Sequence, residues 1–190
     1  MIRLLLVTII MAGALLTPTL AQEAKNPRVV METSHGKVVI ELFADKAPIS
    51  AKNFLQYADD KHYDGTIFHR VIADFMIQGG GFEPGLKEKK TRDPIKNEAG
   101  NNLRNERGTL AMARTGQPDS ATSQFYINTV DNKALDRENA GDGVGYAVFG
   151  RVVEGMEAID KIRRVKTETQ GGHQNVPEQD VIIKSVRRVK

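Results

Sequence analysis

Phe68 to Phe82, FHRVIADFMIQGGGF, sets Arg70 and Gln78 among apolar and aromatic neighbours. Burying either polar group is costly unless it finds a hydrogen-bond partner. Arg114 and Gln124 stand in the same way, on or next to runs of strand-forming residues. Four hydrogen-bonding side chains amid strand residues suggest a polar stripe on an otherwise hydrophobic surface, suited to a groove for extended peptide. The plainer alternative is that they are outward-facing positions of alternating strands.

Other chemistries lack their residues. His35, His62, His69 and His173 have no cysteine partners and no HExxH spacing, so no metal is expected, and each reads as a surface or hydrogen-bonded structural histidine. There is no GxSxG elbow and no cysteine nucleophile. Gly79-Gly80-Gly81 fits neither GxGxxG nor the P-loop, and no cofactor is expected. The triplet instead suits a backbone that turns tightly or lets another chain come close. Carboxylates are plentiful, but none stands out as an acid/base pair.

The chain has 190 residues, the length of one domain, and a formal charge of +3. Its start has the pattern of a secretory signal: a basic Met1-Ile2-Arg3, an uncharged run Leu4 to Leu16, and small residues at Thr19 and Ala21. The run spans 13 residues, short of the roughly 20 that a membrane-spanning helix needs. Cleavage is expected after Ala21, leaving no stable membrane anchor, a flexible lead-in from Gln22 to Pro27, and one domain over residues 28–190. Losing Arg3 brings the mature charge to +2 (26 against 24), too mild for a nucleic-acid footprint. The basic end Arg187-Arg188-Val189-Lys190 reads as a solvated strand terminus, and the absence of cysteine means no disulfides. A monomer is the default for such a domain.

The elements that must position the polar stripe are mostly strands. Arg28 to Thr33 and Lys37 to Phe43 alternate and are joined by Ser34-His35-Gly36, predicting a hairpin. Ala51, Phe54, Leu55 and Ala58 share a helical face behind Pro48, which the first helical turn tolerates. Strands are predicted at Thr66 to Ile72, Phe75 to Gly79, Gly108 to Arg114, Ser123 to Thr129, Tyr146 to Val153 and Val181 to Val189, with a second helix at Glu154 to Val165. Without a βαβ rhythm, these argue for a mainly β fold and an antiparallel sheet. Closure into a barrel would remove its exposed edges.

Three blocks carry a family resemblance: FHRVIADFMIQGGGF, GTLAMARTGQPDSATSQFYI from Gly108 to Ile127, and GYAVFGRVVEGM from Gly145 to Met156. In order and spacing they resemble the cyclophilin-type peptidyl-prolyl isomerases, from about Val29 to the C-terminus. IKNEA, Ile95 to Ala99, together with the signal, resembles the exported, periplasmic bacterial branch. The resemblance implies a closed eight-stranded antiparallel β-barrel capped by two α-helices, with the peptide groove on its outer face. It further implies that Arg70 is the catalytic arginine, that Phe75, Met76 and Leu135 line a proline pocket, and that Gln78 holds the substrate backbone. Ala113 and the backbone of Arg114 match the edge that pairs with substrate, and Gln124 matches a second groove glutamine. Tyr126 stands where the family usually has Phe, and Tyr146 where many members have His; both keep an aromatic ring. Ala134 replaces a tryptophan that supports cyclosporin binding in many eukaryotic relatives, so only weak binding of that drug is expected. The implied partners are proline-containing unfolded or extended polypeptides. A non-catalytic chaperone or adaptor for proline peptides on the same fold is the alternative.

Such a catalyst breaks no bond. Rotation about the amide before proline is opposed by a barrier of roughly 20 kcal/mol, because the nitrogen lone pair is delocalised into the carbonyl. In the twisted state the nitrogen recovers that lone pair and can accept a hydrogen bond. Guanidinium is always a donor and never a base, so a donor at Arg70 would favour the transition state over the ground state. One preorganised donor supplies about 3 to 4 kcal/mol, whereas five decades of acceleration need roughly 7 kcal/mol. The remainder falls to residues that clamp the ring and the flanking chain.

Overall fold

The computed structural model describes residues 26–189. The leader and the cleavage expected after Ala21 lie outside the described residues. β1 (Arg28–Thr33) and β2 (Gly36–Leu42) make the predicted hairpin, with Thr33 opposite Gly36 at its turn. The helix α1 (Pro48–Asp59) follows, then β3 (Thr66–Ile72) and β4 (Met76–Gly79). A small hairpin of β5 (Phe82–Glu83) and β6 (Lys87–Glu88) comes next, and after it β7 (Thr109–Met112), β8 (Phe125–Asn128) and β9 (Val148–Glu154). The helix α2 (Met156–Ile162), a second hairpin of β10 (Thr167–Gln170) and β11 (His173–Pro177), and β12 (Ile182–Arg188) complete the chain.

Eight strands close into an antiparallel barrel in the order β1-β12-β3-β4-β8-β7-β9-β2. Alternation along them separates two apolar populations. One fills the barrel: Val38, Ile40 and Leu42 of β2, Phe68 of β3, Ile77 of β4, Leu110 and Met112 of β7, and Phe125 and Ile127 of β8. The second, Met76, Ala111, Tyr126 and Val148, forms a smaller cluster with Phe75, Leu135 and Tyr146 packed against it. That second cluster is what an outward-facing groove needs.

Both helices bury a face in the interior cluster, Phe54 and Ala58 from α1, Ala158, Ile159 and Ile162 from α2. The Phe54 ring meets Tyr63, Phe125 and Phe149 at centroid distances of 4.9 to 5.4 Å, Phe125 edge-on, a geometry that favours aromatic pairs. Ala47 offers α1 no capping side chain. Glu98 of the IKNEA stretch takes that place: its carboxylate accepts the Ile49 and Ser50 N–H groups at 3.0 and 2.8 Å and the Ser50 hydroxyl at 2.7 Å. A negative group there satisfies orphan donors and complements the helix dipole.

The second helix is shorter than predicted. Glu154 still belongs to β9, and Gly155 takes the left-handed conformation, φ 87°, that turns the chain into α2. Sequence reasoning passed over the β10–β11 hairpin, whose strand Thr167–Gln170 is polar and largely exposed and shows no apolar alternation.

Candidate active site

At the head of the groove two residues of β3 oppose one of β4. Phe68 pairs with Gly79 and Arg70 with Gln78, which makes His69 the extra residue of a β-bulge. Strict alternation would place Arg70 on the face of Phe68, inside the barrel. The bulge shifts the phase: Val71 joins Phe68 in the interior, while Ile72 packs on the outer cluster and Arg70 opens into an outer cavity.

Arg70 begins a chain of polar contacts. Its Nη1 donates to Gln78 Oε1 at 3.4 Å, a long contact, and Gln78 Nε2 donates to Gln124 Oε1 at 2.9 Å. Among the described residues no carboxylate is paired with Arg70. The guanidinium therefore keeps donors free. The glycine run makes this close approach possible, since a Cβ on Gly81 would lie 2.5 Å from Gln124 Cγ and one on Gly80 would lie 2.9 Å from the rings of Phe125 and Tyr63.

Beside Arg70 lies a cavity of about 270 Å³. Phe75, Met76, Tyr126, Leu135 and Tyr146 give it apolar walls, and Gln78, Ala113 and Arg114 complete the rim. Nine of the ten residues singled out from sequence and resemblance meet here; Gln124 lines the neighbouring depression instead. The size is near the lower end for small-ligand pockets, about 300 Å³.

Tyr126 is 4 % exposed, and burial raises its phenol pKa well above the usual value, so it remains a donor. Its hydroxyl donates to Asn105 Oδ1 at 2.8 Å. Asn105 in turn donates to Asp136 Oδ1 through its backbone N–H at 2.7 Å and its amide at 3.0 Å. From the other side Asn132 Nδ2 donates to Asn128 Oδ1 and to the Phe75 carbonyl, both at 2.7 Å. Asn128 Nδ2 reaches Asn105 Oδ1 at 3.3 Å and so joins the two halves. This network under the pocket went unnoticed in the sequence, because scattered asparagines carry no periodic signal.

Arg114 forms the opposite wall through its side chain as well as its backbone. Its side chain is 2 % exposed; the guanidinium lies 4.4 Å from the centroid of the Tyr146 ring, close enough for a cation–π contact. Nε donates to the Gly145 carbonyl at 3.1 Å, Nη1 to the Thr115 carbonyl at 3.0 Å, and Nη2 to Asp142. That Arg114 hydrogen bond, with N–H groups of Val144 and Gly145, holds the Asp142 carboxyl at a pKa of about 2. The Ala113 N–H is used internally, donating to the Gln124 carbonyl at 3.0 Å. Arg114 makes no backbone–backbone bond among the described residues, which leaves its main chain free as an edge.

The expectation of a surface or hydrogen-bonded role for every histidine fails at His69. It is 5 % exposed, its Nδ1 has no partner, and burial first, then the charges of His173 and Arg70, lower its pKa to about 4. The bulge displaces it from the ladder and packs it against Phe82 at 4.6 Å.

Residues 28–188 match the family described as cyclophilin type peptidyl-prolyl cis-trans isomerase/CLD. The chain belongs to that family. A peptidyl-prolyl cis-trans isomerase of Acinetobacter baylyi is 56% identical over 181 residues, 95% of this chain and 94% of its own length. Peptidyl-prolyl cis-trans isomerase B of Escherichia coli is 58% identical over 159 residues, 83% of this chain and 97% of its own. Among solved structures, a Cryptosporidium parvum cyclophilin crystallised in the presence of the dipeptide Ala-Pro superposes with a TM-score of 0.72 at 28% identity, covering 84% of this chain and 96% of its own. The barrel and its two helices are those of a cyclophilin.

Proposed function

We propose that Arg70 accelerates peptidyl-prolyl cis-trans isomerisation, the activity of the cyclophilin family, in polypeptides that have been exported. The observation that carries this is a half-buried guanidinium, paired with no carboxylate among the described residues, at the rim of a cavity with apolar walls. Phe75, Met76, Tyr126 and Leu135 hold the proline ring; Gln78 and the Arg114 main chain hold the flanking backbone. One side of the amide is then fixed and the other free to turn, while Arg70 donates to the prolyl nitrogen as it becomes pyramidal. The apolar walls exclude water and strengthen that bond.

The exported, periplasmic setting is supported by the leader pattern of residues 1–21. The Acinetobacter relative aligns over 95% of the chain, an extent that reaches into the segment ahead of Arg28. In this setting the mature chain starts at Gln22, acts as a monomer and assists folding of newly exported proteins. Ala134, in the 3-10 turn Lys133–Leu135 beside the pocket, presents only a methyl group, in keeping with weak cyclosporin binding.

A protease-coupled assay on a proline tetrapeptide tests the activity. The chain from Gln22 is expected to accelerate isomerisation and its Arg70→Ala form to be slow. Peptide binding without acceleration would make it a holding module.

A further inference from the structure

A second cavity, of about 400 Å³, adjoins the proline pocket and shares Arg70 and Gln78 with it. Its far wall comes from the β10–β11 hairpin, through His173, Gln174 and Asn175, and its near wall from His69, Phe82 and Gln124. The floor is a stack of rings: His69 lies 4.6 Å from Phe82, and Phe82 lies edge-on to His173 at 5.6 Å. Around it stand the amides of Gln78, Gln124, Gln174 and Asn175. Among the described residues no carboxylate lines this cavity. Glu83, which follows Phe82, is engaged by Lys87 at 3.8 Å and Lys89 at 3.6 Å.

The charge is therefore one-sided. Arg70 supplies a cation with no carboxylate partner, the amides supply neutral donors, and the ring floor lowers the local dielectric. We propose that this cavity is a substrate subsite that selects an Asp or Glu side chain close to the proline. It rests on the reading that the neighbouring cavity holds that proline. The two cavities share Arg70, whose reach corresponds to about two residues of extended chain at roughly 3.3 Å each, so the acidic residue sits within two positions of the proline. A lysine there meets the Arg70 charge and is disfavoured. The neutral state of His69 is part of the fit, since its buried Nδ1 and low pKa keep a second cation out of the floor.

The test uses N-acetylated, C-amidated peptides with one proline, so that only side-chain carboxylates are read. Glu, Lys or Ala is placed in turn at each of two positions on either side, and exchange NMR gives catalysed kcat/KM for the mature chain and for Gln174→Glu. At one position the Glu peptide should be used about three- to fivefold better than the Lys peptide, the size of a partly exposed charge interaction. Gln174→Glu, on the exposed hairpin, should erase or reverse that preference, read as the ratio of Glu to Lys peptide within each form. Equal preference for Glu at all four positions would reflect only the net positive charge and overturn the subsite; so would a preference that survives Gln174→Glu. Failure to accelerate the all-alanine peptide would sink the isomerase reading instead. Chemical-shift titration with the same Glu and Lys peptides then still decides the subsite, which is overturned if the two bind alike.

Discussion

Arg70 and Gln78 meet across the β3–β4 ladder, guanidinium Nη1 3.4 Å from amide Oε1, and Gln78 passes the contact on to Gln124 at 2.9 Å. The donor proposed for the reaction is thus held by two amides. Arg70→Ala should lower kcat/KM by about two to three decades, the usual cost of a preorganised donor, with the urea midpoint unchanged. Gln78→Ala should cost about one decade, because the donor survives but loses its aim. Equal losses in the two variants would show that guanidinium and amide act only as a unit, so that the donor has no effect of its own without its partner.

Tyr126→Phe should leave turnover within a few-fold of the parent and yet lower stability. The ring that faces the pocket is kept, whereas Asn105 Oδ1 loses its 2.8 Å donor. A buried acceptor left with the longer Asn128 contact costs about 1 to 3 kcal/mol, which urea unfolding would read. A large fall in kcat with unchanged stability would place the hydroxyl in the reaction itself.

Acid should destabilise the chain before its carboxylates titrate. His69 has a folded pKa of about 4 against 6.5 for a free histidine. Between these values the unfolded chain binds the extra proton, so stability rises with pH there. The contribution is complete above about pH 6.5, falls as pH drops toward 4 and changes no further below it, amounting to on the order of 3 kcal/mol. Burial lowers the His62 pKa in the same direction. His69→Gln should flatten the urea-derived stability over this window; an unchanged slope would remove His69 as its source.

Turnover, in contrast, should be nearly level between about pH 6 and 8, because the proposed donor is an arginine and no proton is transferred. A bell-shaped kcat/KM profile for the mature chain would bring a titrating group into the mechanism.

Asp142→Ala should loosen the wall formed by Arg114 and Tyr146. Asp142 accepts from Arg114 and from the N–H groups of Val144 and Gly145 at 2.9 and 3.1 Å. The expected result is a KM raised about three- to tenfold with kcat little altered, since the loss falls on binding in ground and transition states alike. A fall confined to kcat would mean that the wall acts only in the transition state.

Much of this was legible in the residues. Arg28 to Thr33 alternates because one face enters the core, and the strand ends where predicted. The strand predicted at Ser123 to Thr129 narrows to Phe125–Asn128, since apolar periodicity does not reveal where ladder bonds stop. Phe75 just ahead of β4, Met76 at its start, Tyr126 of β8 and Leu135 of the 3-10 turn converge, a convergence that the family resemblance supplied and local patterning could not. What stayed hidden depended on register and on polar contacts: the bulge at His69, the network of Asn105 and Asp136, and the hairpin wall carrying His173 and Gln174. Hydrophobic periodicity does not report an inserted residue that turns a side chain to the opposite face, nor a strand held mainly by its backbone.

The barrel is seamed where β1 pairs with β12, and there the Val189 N–H donates to the Arg28 carbonyl at 2.8 Å. Around the ring, β8 and β7 lie across from that seam, while β3, which carries Arg70, borders β12. The two ends of the domain are therefore neighbours, across the ring from Tyr126 on β8. A circular permutant with these ends spliced and new termini cut in an exposed loop would keep every strand contact around Arg70.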